Sequence, residues 1–122
     1  MNKHEDLPYI NHVLEAIHDI EESVKDFTKD QFVKNKDVRE SNIRRIEIIG
    51  EAVKNISKDT REKYKEIEWV KIAATRDKMI HHYFGVDLDI VWDIIKIGIP
   101  DLKQKILKIK DDLEGSEKRL KN

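Results

Sequence analysis

Apolar residues recur at steps of three and four along almost the whole chain, and this helical spacing is the feature that most constrains the fold. The first series follows Pro8, a residue suited to a first helical turn, and predicts an amphipathic helix of about 19 residues. Its apolar positions are Ile10, Val13, Leu14, Ile17, Ile20, Val24 and Phe27. No segment alternates apolar and polar residues with a period of two, so the sequence predicts no β-sheet.

Further helical segments are expected in the middle of the chain. Thr28 and Gln31 have the spacing of a capping box, which predicts a short turn at 31–33. A long helix is predicted from about Asp37 to Ser57, and residues 59–64 are expected to form a short polar helical turn. The inner face of the long helix would carry Ile43, Ile46, Ile49, Val53 and Ile56.

The C-terminal part of the chain predicts two more helices. The first should run from about Trp69 to Phe84, where Gly85 would end it, and Asp87 could cap the next. The second carries a seven-residue repeat, with apolar residues at Leu88, Trp92, Ile95, Ile99, Leu102, Ile106, Ile109 and Leu113. Pro100 interrupts this repeat and should kink the helix or split it in two. Two interpretations of the repeat stay open: a stripe in the protein's own core, or a surface that partly packs against a second subunit.

Together these patterns predict an all-α fold, an up-and-down bundle of roughly four to five helices. Residues 1–114 would form a single helical domain and residues 115–122 a polar C-terminal tail that frays. Cysteine is absent, which excludes disulfides and thiolate metal sites. The N-terminus lacks the apolar run of a signal peptide, and no apolar run approaches the ~20 residues that span a bilayer. We therefore expect a cytoplasmic protein without membrane association.

The charge balance limits how the chain could meet nucleic acid. Charged residues make up 40% of the chain, yet the formal net charge is only −1. A protein that coats nucleic acid along its length usually has a basic excess. Any contact with nucleic acid should therefore be local, or brief, or be built from patches of two subunits.

One predicted helix brings together an arginine, two histidines and a tyrosine. On a helical wheel with ~100° per residue, Arg76 lies in the middle of the apolar face and Tyr83 lies close to it. His81 falls about 140° from Arg76, on an adjoining edge with Asp77, and His82 falls on the opposite, wet side. Arginine binds phosphate and histidine exchanges protons near neutral pH. Tyr83 offers a hydroxyl, although it could equally be a core aromatic with that hydroxyl at the rim.

An arginine on an apolar face needs a partner, because burying an unpaired guanidinium is costly. Arg76 could form a structural ion pair with Glu47 or Glu51, or it could bind a phosphate in a water-filled cleft. Asp77 could orient either Arg76 or His81. Arg76 and His81 are also ~7.5 Å apart along the helix axis, so one straight helix does not complete a site. Two copies packed across a two-fold axis would place each arginine and histidine along a shared cleft.

The motif Arg-x4-His-x-Tyr, formed by Arg76, His81 and Tyr83, resembles that of the HepT toxins of the HEPN superfamily. The blocks that also match are Ile-Ile-Gly-Glu-Ala at 48–52, Val-Trp at 91–92 and Pro-Asp-Leu at 100–102. The resemblance extends from about Leu7 to Leu113. Ala74 and Glu68 depart from the family, which often has glycine and proline at these positions.

The resemblance implies a HEPN-like domain that acts as a homodimeric, metal-independent RNase without a cofactor, the toxin of a type VII-like toxin–antitoxin pair. Its partner would be an MntA-like minimal nucleotidyltransferase antitoxin, which silences the toxin by transferring AMP to Tyr83. The candidate catalytic residues are Arg76 and His81, and Asp77 and Tyr83 would support them. Glu47 and Glu51 would lie just outside these residues and contact them.

Two other hypotheses stay open. The chain could be a non-catalytic subunit that presents substrate or nucleotide to a minimal nucleotidyltransferase. It could also be a plain helical interaction module in which Arg76 forms a structural ion pair.

Overall fold

Helices make up all the regular secondary structure in the residues that the computed structural model describes. These are 5–81 and 87–121 for the backbone, and 5–79 and 87–115 for the side chains. In chain order the elements are α1 (Leu7–Val24), α2 (Lys29–Lys34), α3 (Lys36–Lys54), α4 (Lys58–Lys63), α5 (Trp69–His81), α6 (Leu88–Asp93), a π-helical turn (Ile94–Gly98) and α7 (Ile99–Lys121). The prediction of an all-α bundle is confirmed. Within the described helices, none combines the length and the apolar character that crossing a bilayer requires.

Helix α3 links α5 to the rest of the core. It packs against α1 and against α5, while α1 also packs against α7. The predicted inner face of this helix is confirmed, because its apolar positions are all buried: Ile43, Ile46, Ile49 and Val53, with Ile56 just beyond the helix end. Each such side chain stabilises the fold by ~1.5–3 kcal/mol through burial. The position of α5 therefore depends on how it packs against α3.

Two predicted caps are confirmed and fix where short elements begin. Thr28 and Gln31 form the full capping box at the start of α2: the Thr28 hydroxyl accepts from the Gln31 N–H at 3.2 Å, and the Gln31 side-chain oxygen accepts from the Thr28 N–H at 2.8 Å. Asp87 caps α6, since its carboxylate accepts from the backbone N–H groups of Asp89 at 2.9 Å and Ile90 at 3.4 Å. Both caps satisfy N–H groups that have no partner inside the helix.

The end of α3 differs from the prediction. The helix ends at Lys54, three residues before Ser57. Ser57 has an extended backbone (φ −60°, ψ 152°) and caps α4, with its hydroxyl accepting from the Thr60 N–H at 3.3 Å. The N–H of Ser57 donates to a carboxylate oxygen of Asp6 at 2.8 Å, a contact made before the start of α1. Ser57 thus begins the next helix instead of ending the previous one.

The seven-residue repeat forms a stripe in the protein's own core. Six of its positions are buried within the single chain: Ile95, Ile99, Leu102, Ile106, Ile109 and Leu113. Leu88 and Trp92 are half-buried against the same core. The first interpretation of the repeat is therefore the one that the structure supports.

The α-helical pattern is interrupted ahead of Pro100 by the π-helical turn, but the helical backbone is continuous from 88 to 121, so the predicted split into two separate helices is not observed. The π-helical turn ends at Gly98, and Pro100, which has no N–H to donate to a carbonyl of the preceding turn, is the second residue of α7. The C-terminal tail is expected to fray, but the backbone of α7 is helical through Lys121. Extending an existing helix costs little when the added residues are mostly good helix formers. The domain boundary after residue 114 stays a prediction.

Candidate active site

Helices α3 and α5 approach each other closely at Gly50 and Arg76. A Cβ atom built on the buried Gly50 would lie only 2.2 Å from Cβ of Arg76 and 3.2 Å from its Cα. Atoms at the shorter distance would overlap, so α3 has room for no side chain at this crossing. Gly50 therefore allows two helix backbones to come together, and this contact positions Arg76 against α3.

Arg76 pairs with carboxylates from both helices. Its Nε lies 3.2 Å from an oxygen of Glu51 on α3, and a terminal nitrogen donates to Oδ1 of Asp77 at 3.0 Å. Of the two ion-pair partners predicted on α3, Glu51 is confirmed. Glu47 pairs instead with Arg44, at 3.1 Å. The Arg76 side chain is 29% exposed, so it is paired yet still open to solvent.

Asp77 receives a second cation from α3. The Nζ atom of Lys54 donates to Oδ1 of Asp77 at 3.0 Å, the same oxygen that Arg76 contacts. Hydrogen bonds from Lys54 and then from Arg76 lower the pKa of the Asp77 carboxyl below its ordinary value. The carboxylate therefore stays ionised at neutral pH and acts as an anchor for two cations. Asp77 is predicted to orient either Arg76 or His81. Its contact with Arg76 is observed, whereas the side chain of His81 lies outside the described residues.

We call Glu51, Lys54, Arg76 and Asp77 the α3–α5 charge cluster. It holds two positive and two negative side chains, which are 56% (Glu51), 37% (Lys54), 29% (Arg76) and 47% (Asp77) exposed. A cluster this exposed can exchange one of its anions for an anion from solution, because surface ion pairs contribute only ~0–1 kcal/mol. The cluster is therefore a candidate site for a phosphate group.

Sequence reasoning missed Lys54. It lies four residues after Gly50, which places both on one face of α3, and Gly50 marks the crossing with α5. A lysine one turn beyond a helix-crossing glycine is the signal that could have identified it. Its partner Asp77 lies 23 positions away in sequence, so the contact itself follows only from the packing of the two helices.

The described part of α5 agrees with the helical wheel. Met79 is 5% exposed on the predicted apolar face, while Lys71 and Lys78 are exposed to solvent. His81 is the last residue of α5 whose backbone is described, and its side chain lies outside the described residues. His82, Tyr83, Phe84 and Gly85 also lie outside them, so the interpretations of these residues stay predictions.

An apolar groove of about 480 Å³ lies between α5 and the segment formed by α6, the π-helical turn and the start of α7. Ile46 and Ile49 of α3 line it, together with Ile72 of α5. Two further lining residues are large and exposed, Ile90 by 56% and Ile97 by 70%. At the rim, Lys71 pairs with Glu68 at 3.4 Å and Lys105 pairs with Asp101 at 2.9 Å, and the acidic residues Glu66 and Asp93 also line the groove. The groove is thus an apolar surface whose charged rim holds two more acidic than basic side chains.

Among the described residues, no group of three or more histidine or acidic side chains could hold a metal ion. The expectations that the site uses no metal and no cofactor stay predictions.

The fold and the site define a helical domain with a partly exposed, carboxylate-held arginine where two helices cross. A family model described as "Ribonuclease HepT-like" matches residues 13–109. This chain belongs to that family, and the resemblance noted in its sequence is confirmed.

Several relatives are similar over most of this chain. A protein of Methanocaldococcus jannaschii named "Gamma-glutamylcyclotransferase and putative RNase" is 50% identical over 109 residues, which are 89% of this chain but only 49% of that protein. A "Putative RNase" of the same organism is 41% identical over 117 residues, 96% of this chain and 97% of the relative. A "Probable ribonuclease HepT" of Thermococcus cleftensis is 42% identical over 102 residues, 84% of this chain and 93% of the relative. No solved structure matches this chain.

Proposed function

We propose that this protein is an endoribonuclease that cleaves RNA without a metal ion, by attack of the ribose 2′-hydroxyl on the adjacent phosphate. Membership of the Ribonuclease HepT-like family and the RNase names of its relatives support the RNase activity. The single structural observation that carries the proposal is Arg76, a partly exposed cation held at the crossing of α3 and α5.

In this reaction Arg76 binds the scissile phosphate and stabilises the charge that develops on its oxygens. His81 serves as general base or acid, a role suited to a side chain with an unperturbed pKa of ~6.5. The 2′-oxygen loses its proton and bonds to phosphorus, and the bond from phosphorus to the 5′-oxygen breaks. The 5′-oxygen takes up a proton, so the products are a 2′,3′-cyclic phosphate and a 5′-hydroxyl.

Arg76 can reach a phosphate without unfolding its surroundings. Its contact with Glu51 is an ion pair in which Glu51 is 56% exposed, and such pairs contribute little to stability. A phosphate oxygen can take the place of the Glu51 carboxylate on Nε, while Asp77 continues to hold the other end of the guanidinium. The ion pair with Glu51 is then the resting state of a binding residue.

We further propose that two copies of the chain form a composite active site at a homodimer cleft. Support comes from the ~7.5 Å and 140° that separate Arg76 from His81 on one helix. The apolar groove also supports it, because exposed apolar patches mark interaction sites. Ile72 of α5 lines this groove, so a second copy seated there would lie on the helix that carries Arg76.

The family resemblance supports a finer proposal, in which the protein is the toxin of a type VII-like toxin–antitoxin pair. The partner would be an MntA-like nucleotidyltransferase that attaches AMP to Tyr83. On the helical wheel Tyr83 falls about 20° from Arg76, so an AMP group there would block the phosphate site. Coexpression with the partner should add AMP units to the intact mass of the protein, and Tyr83→Phe should abolish the gain. An unchanged mass would contradict this proposal.

RNA cleavage in the presence of EDTA tests the nuclease activity. We expect the purified protein to cut single-stranded RNA under these conditions. Arg76→Ala should lower kcat by about 10²–10³-fold through loss of charge stabilisation, and His81→Ala should also inactivate the protein. Lys78→Ala, a change on the exposed side of α5, is the control and should retain activity. Full activity in both Arg76→Ala and His81→Ala would contradict the assignment. An inactive wild-type protein that binds a nucleotidyltransferase would favour the non-catalytic subunit.

A further inference from the structure

Lys54 and Arg76 come from different helices and converge on one oxygen atom. Each donates to Oδ1 of Asp77 over 3.0 Å, so Nζ of Lys54 and the terminal nitrogen of Arg76 are at most 6.0 Å apart. Hydrogen bonds between cationic nitrogens and phosphate oxygens are ~2.8 Å long, so one phosphate group with several acceptor oxygens can contact both nitrogens. The two side chains are 37% and 29% exposed, which leaves both accessible to a ligand.

We propose that Lys54 and Arg76 form a two-cation site for a single phosphate group of RNA, with Asp77 as the carboxylate that holds both side chains in place. This inference rests on the proposed RNase function and adds Lys54, on α3, to the residues that bind the substrate. A phosphate enters by displacing Glu51, the most exposed member of the α3–α5 charge cluster.

The charges within the cluster explain why the second cation is needed. After Glu51 is displaced, Lys54, Arg76 and Asp77 together carry one net positive charge, which matches one phosphodiester. Without Lys54, the charges of Arg76 and Asp77 cancel, and the site attracts an anion less strongly. Lys54 therefore increases the affinity of the site for RNA.

An alternative role for Lys54 is purely structural, as a tie between α3 and α5. The two roles predict different effects of removing the Lys54 charge on the salt dependence of RNA binding. Each phosphate contact releases condensed counterions, so the slope of log K against log[salt] changes by ~0.7 for each contact with single-stranded nucleic acid. A structural tie changes the melting temperature of the protein but leaves this slope unchanged.

The test is a salt titration of binding to a fluorescent single-stranded 2′-O-methyl RNA, which the protein cannot cleave. Lys54→Gln should weaken binding and reduce the slope by ~0.7, whereas Lys54→Arg should retain most of the slope. Lys34→Gln is the matched control, because Lys34 also lies 3.0 Å from a carboxylate, that of Asp30, and its removal changes the net charge equally. Lys34→Gln should bind like the wild-type protein. An unchanged slope in Lys54→Gln would overturn the inference, with or without a lower melting temperature.

Cleavage assays run in parallel separate this inference from the proposed function. If the wild-type protein cleaves RNA and Lys54→Gln keeps the wild-type slope and KM, the two-cation site is wrong and the RNase stands. If the wild-type protein binds RNA without cleaving it and Lys54→Gln reduces the slope, the phosphate site stands and the RNase is wrong. A wild-type protein that does not bind RNA contradicts both.

Discussion

At the scale of single residues, the carboxylate of Asp77 organises the candidate site because it accepts hydrogen bonds from Lys54 and Arg76 on one oxygen. These bonds lower its pKa in the folded state. A lowered folded-state pKa means that the carboxylate stabilises the protein at pH values above its unfolded-state pKa of ~3.9, and that this stabilisation is lost as the pH falls through the lower, folded-state pKa.

Asp77→Asn should therefore lower the melting temperature at neutral pH, where the carboxylate is charged and paired. The difference from the wild-type protein should shrink as the pH is lowered below about 4. Thermal melts of both proteins between neutral and acid pH measure this difference. A gap that stays constant across the range would show that the ion pairs of Asp77 do not contribute to stability.

Sequence alone predicted part of this residue-level arrangement. The need of Arg76 for a partner follows from its place on an apolar face, since a buried cation must be paired. The choice of Glu51 over Glu47 does not follow, because it depends on where α5 crosses α3. The contact between Lys54 and Asp77 could not be predicted for the same reason.

At the scale of elements, the position of the site depends on the closeness of α3 and α5 at Gly50. Gly50→Ala would place its Cβ 2.2 Å from Cβ of Arg76 and force the helices apart. We expect it to lower the free energy of unfolding by ~1–3 kcal/mol, the usual cost of overpacking, and to reduce RNA cleavage by moving Arg76.

Gly98→Ala is the matched control for this prediction. A Cβ on Gly98 would meet nothing within 4 Å, and alanine restricts the unfolded chain more than glycine does. We expect this variant to unfold with an unchanged or slightly higher free energy. Equal effects of the two substitutions in chemical denaturation would contradict the close-approach role of Gly50.

The elements themselves were largely predictable, because their signals are local. The capping box of Thr28 and Gln31 and the cap at Asp87 lie within a few residues of the N–H groups that they satisfy. The end of α3 was predicted three residues too late, since Ser57 also bonds with Asp6, 51 positions away. Boundaries that depend on such distant contacts do not follow from periodicity.

At the scale of the whole molecule, the apolar groove beside α5 is the surface that we propose for the second copy. Ile97→Asp would place a charge at a lining position that is 70% exposed, so the fold of one chain should tolerate it. In a dimer the same charge would be buried without a partner. We expect the dimer dissociation constant to rise at least tenfold, about 1.4 kcal/mol, as measured by sedimentation.

Val70→Asp is the control for the dimer surface. Val70 is also a large exposed aliphatic residue, at 81%, but it does not line the groove. This variant should dimerise like the wild-type protein. Normal dimerisation of Ile97→Asp, or equal disruption by both variants, would place the subunit contact elsewhere.

The measurement that tests the central claim most directly is the chemical nature of the ends that the protein leaves on RNA in EDTA. We predict fragments with a 2′,3′-cyclic phosphate and a 5′-hydroxyl. The same RNA sequence with 2′-O-methyl riboses should not be cleaved, and Arg76→Ala prepared in parallel should produce at least a hundredfold fewer fragments. Fragments with a 3′-hydroxyl and a 5′-phosphate, or equal cleavage by Arg76→Ala, would contradict an RNase centred on Arg76.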